Sequence, residues 1–155
     1  MRFSDEEDWG NVHFGFRIAG ATTIESRYNS WRDTYFEPSD TKRELSDDPD
    51  NDGLANLLEY VFHDDPSTLS TGDNFPVAFL NPDTQALLLQ YTKIEAIGNT
   101  PITYELSSDL LTWATAIENT NYTQTASSNG DGTETITVTF TSSENLFLRV
   151  VVTLD

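Results

Sequence analysis

A short acidic segment carries the residues of this chain that are best suited to chemistry. The segment DDPDNDGLANLLEYVFHDDP, residues 47–66, contains seven carboxylates and no Lys or Arg. Like charges at this density repel one another, which favours a bound cation. Acidic residues occupy positions one, three, five and twelve of a 12-residue loop with Gly at six, the spacing that binds Ca²⁺. The predicted ligands are Asp48, Asp50, Asp52, Leu54, Asn56 and Glu59.

The loop pattern gives each of its later residues a role. Leu54 would offer its backbone carbonyl, Asn56 would act through a water, and Glu59 would close the shell as a bidentate ligand. The sharp turn of the loop would fall at Gly53. Two alternatives stay open. One is Mg²⁺, which prefers fewer protein ligands and a stricter octahedron. The other is a solvated acidic loop that caps a helix without any metal.

Helical spacing on both sides of the loop predicts an EF-hand-like unit over residues 23–66. After the loop, apolar residues recur at three-and-four spacing and predict a helix that ends at residues 64–66: Leu54, Leu57, Leu58 and Val61. Before the loop, SRYNSWRDTYF (26–36) predicts a short amphipathic helix with its aromatic residues roughly on one side. This entering helix stands farther from the loop than in an ordinary EF-hand, and Pro38 intervenes.

The last part of the chain, residues 74–155, predicts an antiparallel β-sandwich without a helix longer than two turns. TETITVTFT (133–141) and ITYELS (102–107) alternate apolar and polar residues, which is typical of strands with one buried face. ALLLQYT (86–92) and NLFLRVVVTL (145–154) are apolar on both faces, as central strands often are. The sequence NGDG (129–132) predicts a hairpin turn. Residues 64–74 read as the linker before this domain.

The first 22 residues predict a remnant of an upstream domain or a single strand. They are too few to bury a core alone, and GFRIAG (15–20) reads as one isolated strand. We therefore expect this segment either to pair with the edge of a sheet or to stay mobile.

Composition excludes several functional classes. The 155 residues carry a net charge of −18, which argues against nucleic acid and anionic membrane surfaces as partners. The chain has no Cys, so disulfides, Cys-bound zinc and thiol catalysis are excluded. No apolar run approaches a membrane span. Neither a G-x-S-x-G elbow nor a Gly-rich phosphate loop occurs. We do not expect an enzyme.

The loop and its surroundings resemble known calcium-binding regions of exported proteins. DPDNDGLANLLEY (48–60) resembles thrombospondin type 3-like calcium repeats and dockerin-type loops of secreted bacterial proteins. A wider pattern consists of W-R-x-x-x-F (31–36), the loop, TYELSSDLLTW (103–113) and the final FLRVVVTL (147–154). This pattern resembles C-terminal regions of large exported proteins of Verrucomicrobia and related bacteria. This resemblance implies an extracellular setting, a structural calcium and a β-sandwich. True thrombospondin arrays contain many repeats, whereas this chain contains one.

The beginning of the chain carries a second resemblance. VHFGFRIAG (12–20) is similar to the last strand of formylglycine-generating (sulfatase-modifying) enzyme domains. The catalytic cysteines of that family have no counterpart here. This resemblance implies the tail of a longer protein, without the enzymatic activity.

Together these observations predict a non-catalytic, calcium-stabilised module with a structural or adhesive role. It would lie at the C-terminus of a larger exported protein, secreted or on the cell surface, with a polysaccharide or a cell-surface protein as its possible partner. One alternative is a carbohydrate-binding module that uses an exposed row of aromatic side chains, such as Trp113 and its neighbours. The other is the inactive tail of a sulfatase-modifying-type enzyme, which serves as a spacer.

Overall fold

Two helices and eight strands make up the described part of the chain. The computed structural model describes residues 16–19, 26–95, 97, 102–141 and 147–153. The helices are α1 (Ser26–Tyr35) and α2 (Asn56–Val61). The strands are β1 (Phe16–Ala19), β2 (Val77–Leu80), β3 (Leu87–Ile94), β4 (Ile102–Ser107), β5 (Ala114–Thr115), β6 (Tyr122–Ser128), β7 (Thr133–Phe140) and β8 (Phe147–Thr153).

The strands form two four-stranded sheets. One sheet has the order β1-β8-β4-β5 and the other the order β2-β3-β7-β6. All neighbours are antiparallel except β1 and β8, which are parallel. The prediction of a mainly β, antiparallel region is confirmed, and no helix occurs in the described residues after 74.

The hydrophobic pattern of each strand agrees with its place in a sheet. In β7, Ile136, Val138 and Phe140 are buried while the Thr residues between them are half-exposed. The two segments predicted to be central, β3 and β8, lie between two neighbours each. Three consecutive valines, 150–152, are buried in β8, as expected for a strand covered on both faces. The predicted turn lies between β6 and β7, and its glycines, Gly130 and Gly132, have φ of 80° and 89°.

Strand β1 pairs with the edge of the first sheet. Its four residues run parallel to β8, with Phe16 opposite Val150 and Ala19 opposite Thr153. Of the two alternatives predicted for the first 22 residues, edge pairing is therefore observed at positions 16–19. The rest of that segment lies outside the described residues.

Side chains from both sheets meet in one core. Leu89, Ile136 and Val138 from the second sheet join Tyr104 and Val150 from the first in a single buried cluster. A hydrogen bond of 2.6 Å joins the hydroxyl of Tyr91 on β3 to that of Tyr104 on β4 and so connects the two sheets. The Tyr104 hydroxyl donates to Gln124 Oε1 at 2.9 Å. These contacts favour the predicted sandwich.

The two helices pack on each other through aromatic rings. Tyr28 and Trp31 of α1 lie 5.4 Å and 5.5 Å from the ring of Tyr60 on α2, measured between centroids. The Tyr28 side chain is fully buried, and its hydroxyl donates to the Arg43 carbonyl at 3.2 Å. The entering helix ends at Tyr35, one residue earlier than the predicted segment.

At its C-terminal end, α2 also packs against the second sheet. Phe62, the C-cap residue of α2, is fully buried and lies 5.7 Å from the ring of Tyr91 on β3. It also contacts Phe75, at 5.1 Å, just before β2. The residues between Phe62 and β2 contain no helix or strand, and neither described helix is long and apolar enough to cross a membrane. Packing through Phe62 therefore fixes the position of α2 relative to the sheets.

Candidate metal centre

The backbone of residues 48–54 is folded around its own aspartates. Asp48 Oδ2 accepts the N–H of Gly53 at 3.0 Å. Asp50 Oδ1 accepts the N–H of Asp52 at 3.2 Å, and Asp52 Oδ1 accepts that of Leu54 at 2.8 Å. Gly53 has φ of 94°, a left-handed conformation that residues with a side chain rarely adopt. The space around it would admit a Cβ, so the backbone conformation is what favours Gly at this position. One oxygen of Asp48 and one of Asp50 thus organise the loop and leave the other without a partner, whereas both oxygens of Asp52 accept a backbone N–H, the second from Ser70.

Carboxylate oxygens of the three aspartates converge. Asp48, Asp50 and Asp52 each place one oxygen within 4.8 Å of the others. Asp48 Oδ1 and Asp50 Oδ2 are buried and have no hydrogen-bond partner. Burial of an ionised oxygen without a partner is strongly unfavourable. The three aspartates are therefore arranged as an acceptor-only site.

Helix α2 brings two further side chains to this region, Asn56 and Glu59. Both are fully buried. Both oxygens of Glu59 and the Oδ1 of Asn56 have no hydrogen-bond partner. Glu59 lies outside the 4.8 Å group, but the charges of Asp50, Asp52 and Asp48 act on it.

The partnerless buried polar atoms of the described residues belong to one type and one short segment. Among the residues that the structure describes, the buried side-chain polar atoms without a partner are Asp48 Oδ1, Asp50 Oδ2, Asn56 Oδ1, Glu59 Oε1 and Glu59 Oε2. All are oxygens, and all come from one 12-residue segment. Buried polar atoms are nearly always satisfied, because leaving one unpaired costs roughly 1–3 kcal/mol, and more for a charged group. Carboxylate and amide oxygens are also the side-chain ligands that Ca²⁺ takes in proteins.

The pKa values of two carboxyl groups in this segment are raised, as expected for buried acids that lie close to one another. Burial, followed by the charges of Asp50, Asp52, Asp64 and Asp48, raises the pKa of Glu59 from its ordinary value of 4.5 to about 8. Burial is also the main cause that raises the pKa of Asp50. A bound divalent cation would reverse this effect, because it favours the ionised form of each carboxylate.

The nearby Lys42 does not neutralise the carboxylates directly. Its ammonium donates to the carbonyl of Asp48 at 2.9 Å and to Asn51 Oδ1 at 3.2 Å. It therefore holds the outside of the loop through a backbone carbonyl and a neutral amide. The buried oxygens of Asp48 and Asp50 remain available to an ion.

The structure thus groups some of the predicted ligands more tightly than others. It brings the three aspartates together, and it buries Glu59, on which their charges act, and Asn56 on α2. For Leu54 it shows the N–H bond to Asp52, which fixes the backbone next to the predicted carbonyl ligand.

Three supporting residues were missed by sequence reasoning. The carbonyls of Glu44 and Asp47 hold the amide and the backbone of Asn56, and the N–H of Ser70 donates to Asp52 Oδ2 at 2.9 Å. They act through backbone atoms, which leave no signature in a residue pattern.

A shallow groove beside β5 is the second candidate site. It has a volume of about 390 Å³ and is lined by Trp113 together with small apolar, hydroxyl and amide residues. The Trp113 ring is half-buried and packs under the Arg149 guanidinium, 4.3 Å from the ring centroid. No charged side chain lines the groove among the described residues. It could admit a small neutral ligand, but it contains no buried unsatisfied group like those of the loop.

Comparison of the chain with known protein families, with curated proteins and with solved structures gives no match.

Proposed function

We propose that this protein binds one Ca²⁺ ion in the loop of residues 48–59 and works as a non-catalytic, calcium-stabilised extracellular module. In this proposal an EF-hand-like loop and helix precede an antiparallel β-sandwich, as part of a larger exported protein. The observation that carries the proposal is the set of five buried, partnerless oxygens in a single 12-residue segment. Ca²⁺ takes six to eight oxygen ligands in flexible geometry, which suits this donor set better than the octahedron of Mg²⁺.

The role proposed for the ion is structural. Asp52, one of its ligands, also accepts the N–H of Ser70 in the segment that leads to β2. Glu59 lies on α2, which packs on β3 through Phe62. An ion that holds Asp52 and Glu59 together would therefore fix the loop unit onto the two-sheet domain.

The carbohydrate-binding alternative receives less support. It calls for an exposed row of aromatic side chains on one sheet face. Among the described residues, the exposed large hydrophobic side chains are mostly aliphatic, and their only aromatic member is Tyr35, on α1. Trp113, the aromatic residue of the groove, is half-buried. The spacer alternative is compatible with the calcium proposal, because a spacer also benefits from a rigid junction.

Calorimetry in metal-depleted buffer and in about 10 mM Ca²⁺ tests the proposal. Extracellular calcium modules bind at roughly 0.1–1 mM. Ligand at about 100 times its dissociation constant adds about 2.7 kcal/mol to the free energy of unfolding. For a chain of this size we expect Tm to rise by about 5–10 °C. Mg²⁺ should do less.

Single substitutions show which residues the rise in Tm depends on. Asp50→Ala and Glu59→Ala should each remove most of the rise in Tm. Asp83→Ala is the matched control, because Asp83 is an exposed aspartate in the turn between β2 and β3. It should keep the full response. Equal Tm values of the wild type with and without Ca²⁺ would show that the segment is a solvated acidic loop.

A further inference from the structure

The side chain of Asn56 is held in one orientation by its neighbours. Its Nδ2 donates to the Glu44 carbonyl at 2.8 Å. Its backbone N–H donates to the Asp47 carbonyl at 2.8 Å. A carbonyl only accepts hydrogen bonds, so the nitrogen of the amide must face Glu44 and the oxygen must point away from it. The position of Asn56 Oδ1 is therefore determined by these contacts.

That oxygen is buried and has no partner. Asn56 is 0% exposed, and its Oδ1 belongs to the same partnerless set as the oxygens of Asp48, Asp50 and Glu59. In ordinary loops of this spacing, the residue at position nine often acts through a water. A fully buried amide with a free oxygen is better suited to reach an ion directly.

We propose that Asn56 binds the ion directly through Oδ1 and takes the place of the coordinated water of an ordinary loop. This inference rests on the calcium site proposed above. With Glu59 bidentate, the chain then supplies a number of oxygens within the six to eight that Ca²⁺ takes. The amide adds a ligand without adding charge, which matters in a site that already contains four carboxylates within one short segment.

Terbium luminescence tests this inference, because Tb³⁺ replaces Ca²⁺ and its decay rates in H₂O and D₂O give the number of bound waters. We expect Asn56→Ala to bind about one water more than the wild type. Asn74→Ala is the matched control. It also removes a hydrogen bond from a side-chain amide to a backbone carbonyl, because Asn74 Nδ2 donates to the His63 carbonyl at 3.0 Å. It should leave the water count unchanged.

The outcomes separate the two proposals. If Ca²⁺ does not displace Tb³⁺ from a saturable site, the calcium proposal itself fails. If Tb³⁺ binds and Asn56→Ala leaves the number of bound waters unchanged, Asn56 is not a direct ligand. Should Asn56→Ala fail to fold, Asn56→Ser, whose side chain is shorter but polar, replaces it in the same comparison.

Discussion

At the scale of single residues, Glu59 has the most unusual environment. It is a fully buried carboxyl without a hydrogen-bond partner, and its pKa is raised to about 8. Between its ordinary pKa of 4.5 and this value, the folded protein holds a proton on Glu59 that the unfolded chain has released. Folding is therefore favoured at low pH and loses stability as pH rises through about 8. The raised pKa of Asp50 has the same sign.

This environment predicts an unusual pH dependence for the metal-free protein. In metal-depleted buffer, Tm should fall between about pH 5.5 and pH 8.5, and Glu59→Gln should remove most of that fall. Near pH 8.5 without metal, Glu59→Gln should be more stable than the wild type, because it buries no charge. In Ca²⁺ the order should reverse, since the variant loses a charged ligand. Thermal unfolding of both proteins under the four conditions checks this, and an unchanged order contradicts it.

The grouping of the aspartates could be predicted from sequence, because a metal-binding loop constrains both residue type and spacing. The aspartates at 48, 50 and 52 and the turn at Gly53 follow directly from that spacing. The support from Ser70 could not be predicted in this way. It comes from a backbone N–H eighteen residues after Asp52, and any residue except Pro supplies that donor.

At the scale of elements, alternation of apolar residues predicted β4 and β7. The central places of β3 and β8 followed from their apolar residues on both faces. The parallel pairing of β1 with β8 was beyond such reasoning, because alternation describes a single strand and contains no information on its partner. The order of strands depends on contacts between distant segments.

The tyrosine pair between the sheets gives a prediction at this scale. Tyr104 donates its only hydroxyl proton to Gln124, so Tyr91 must be the donor in the Tyr91–Tyr104 bond. Tyr104→Phe would leave the buried Tyr91 hydroxyl without an acceptor. We expect the free energy of unfolding to fall by about 1–3 kcal/mol. Urea denaturation measures this loss.

A second variant separates the hydrogen bond from packing. Adding Tyr91→Phe to Tyr104→Phe removes the unsatisfied hydroxyl, so the double variant should lose less stability than the sum of the two single variants. Additive losses would show that the bond between the sheets contributes little and that packing of the rings accounts for the effect.

At the scale of the whole molecule, charge and stability are linked through one small region. The chain has a net charge of −18, and its clustered aspartates lie in the loop before α2. The sequence predicted this acidic loop but not that the helix after it packs on the second sheet through Phe62. A single ion bound in this loop, as proposed above, would therefore act on both parts of the molecule.

The bond between Ser70 and Asp52 has a consequence for the resistance of the protein to proteases. Leu69, beside Ser70, is 69% exposed in a segment without helix or strand, where chymotrypsin can recognise it. Cleavage requires the segment to leave its folded position, which breaks the bond to Asp52. An ion on Asp52 would oppose that movement. We expect chymotrypsin to cut after Leu69 several-fold more slowly in Ca²⁺ than in metal-depleted buffer.

Mass spectrometry of the fragments measures this rate. Asp52→Ala should be cut equally fast under both conditions. In Asp83→Ala, by contrast, calcium should slow the cut as it does in the wild type. If calcium leaves the rate of cutting after Leu69 in the wild type unchanged, the loop and this segment open independently. If calcium instead slows the cut, the calcium concentration of an extracellular setting would set how long the intact chain survives.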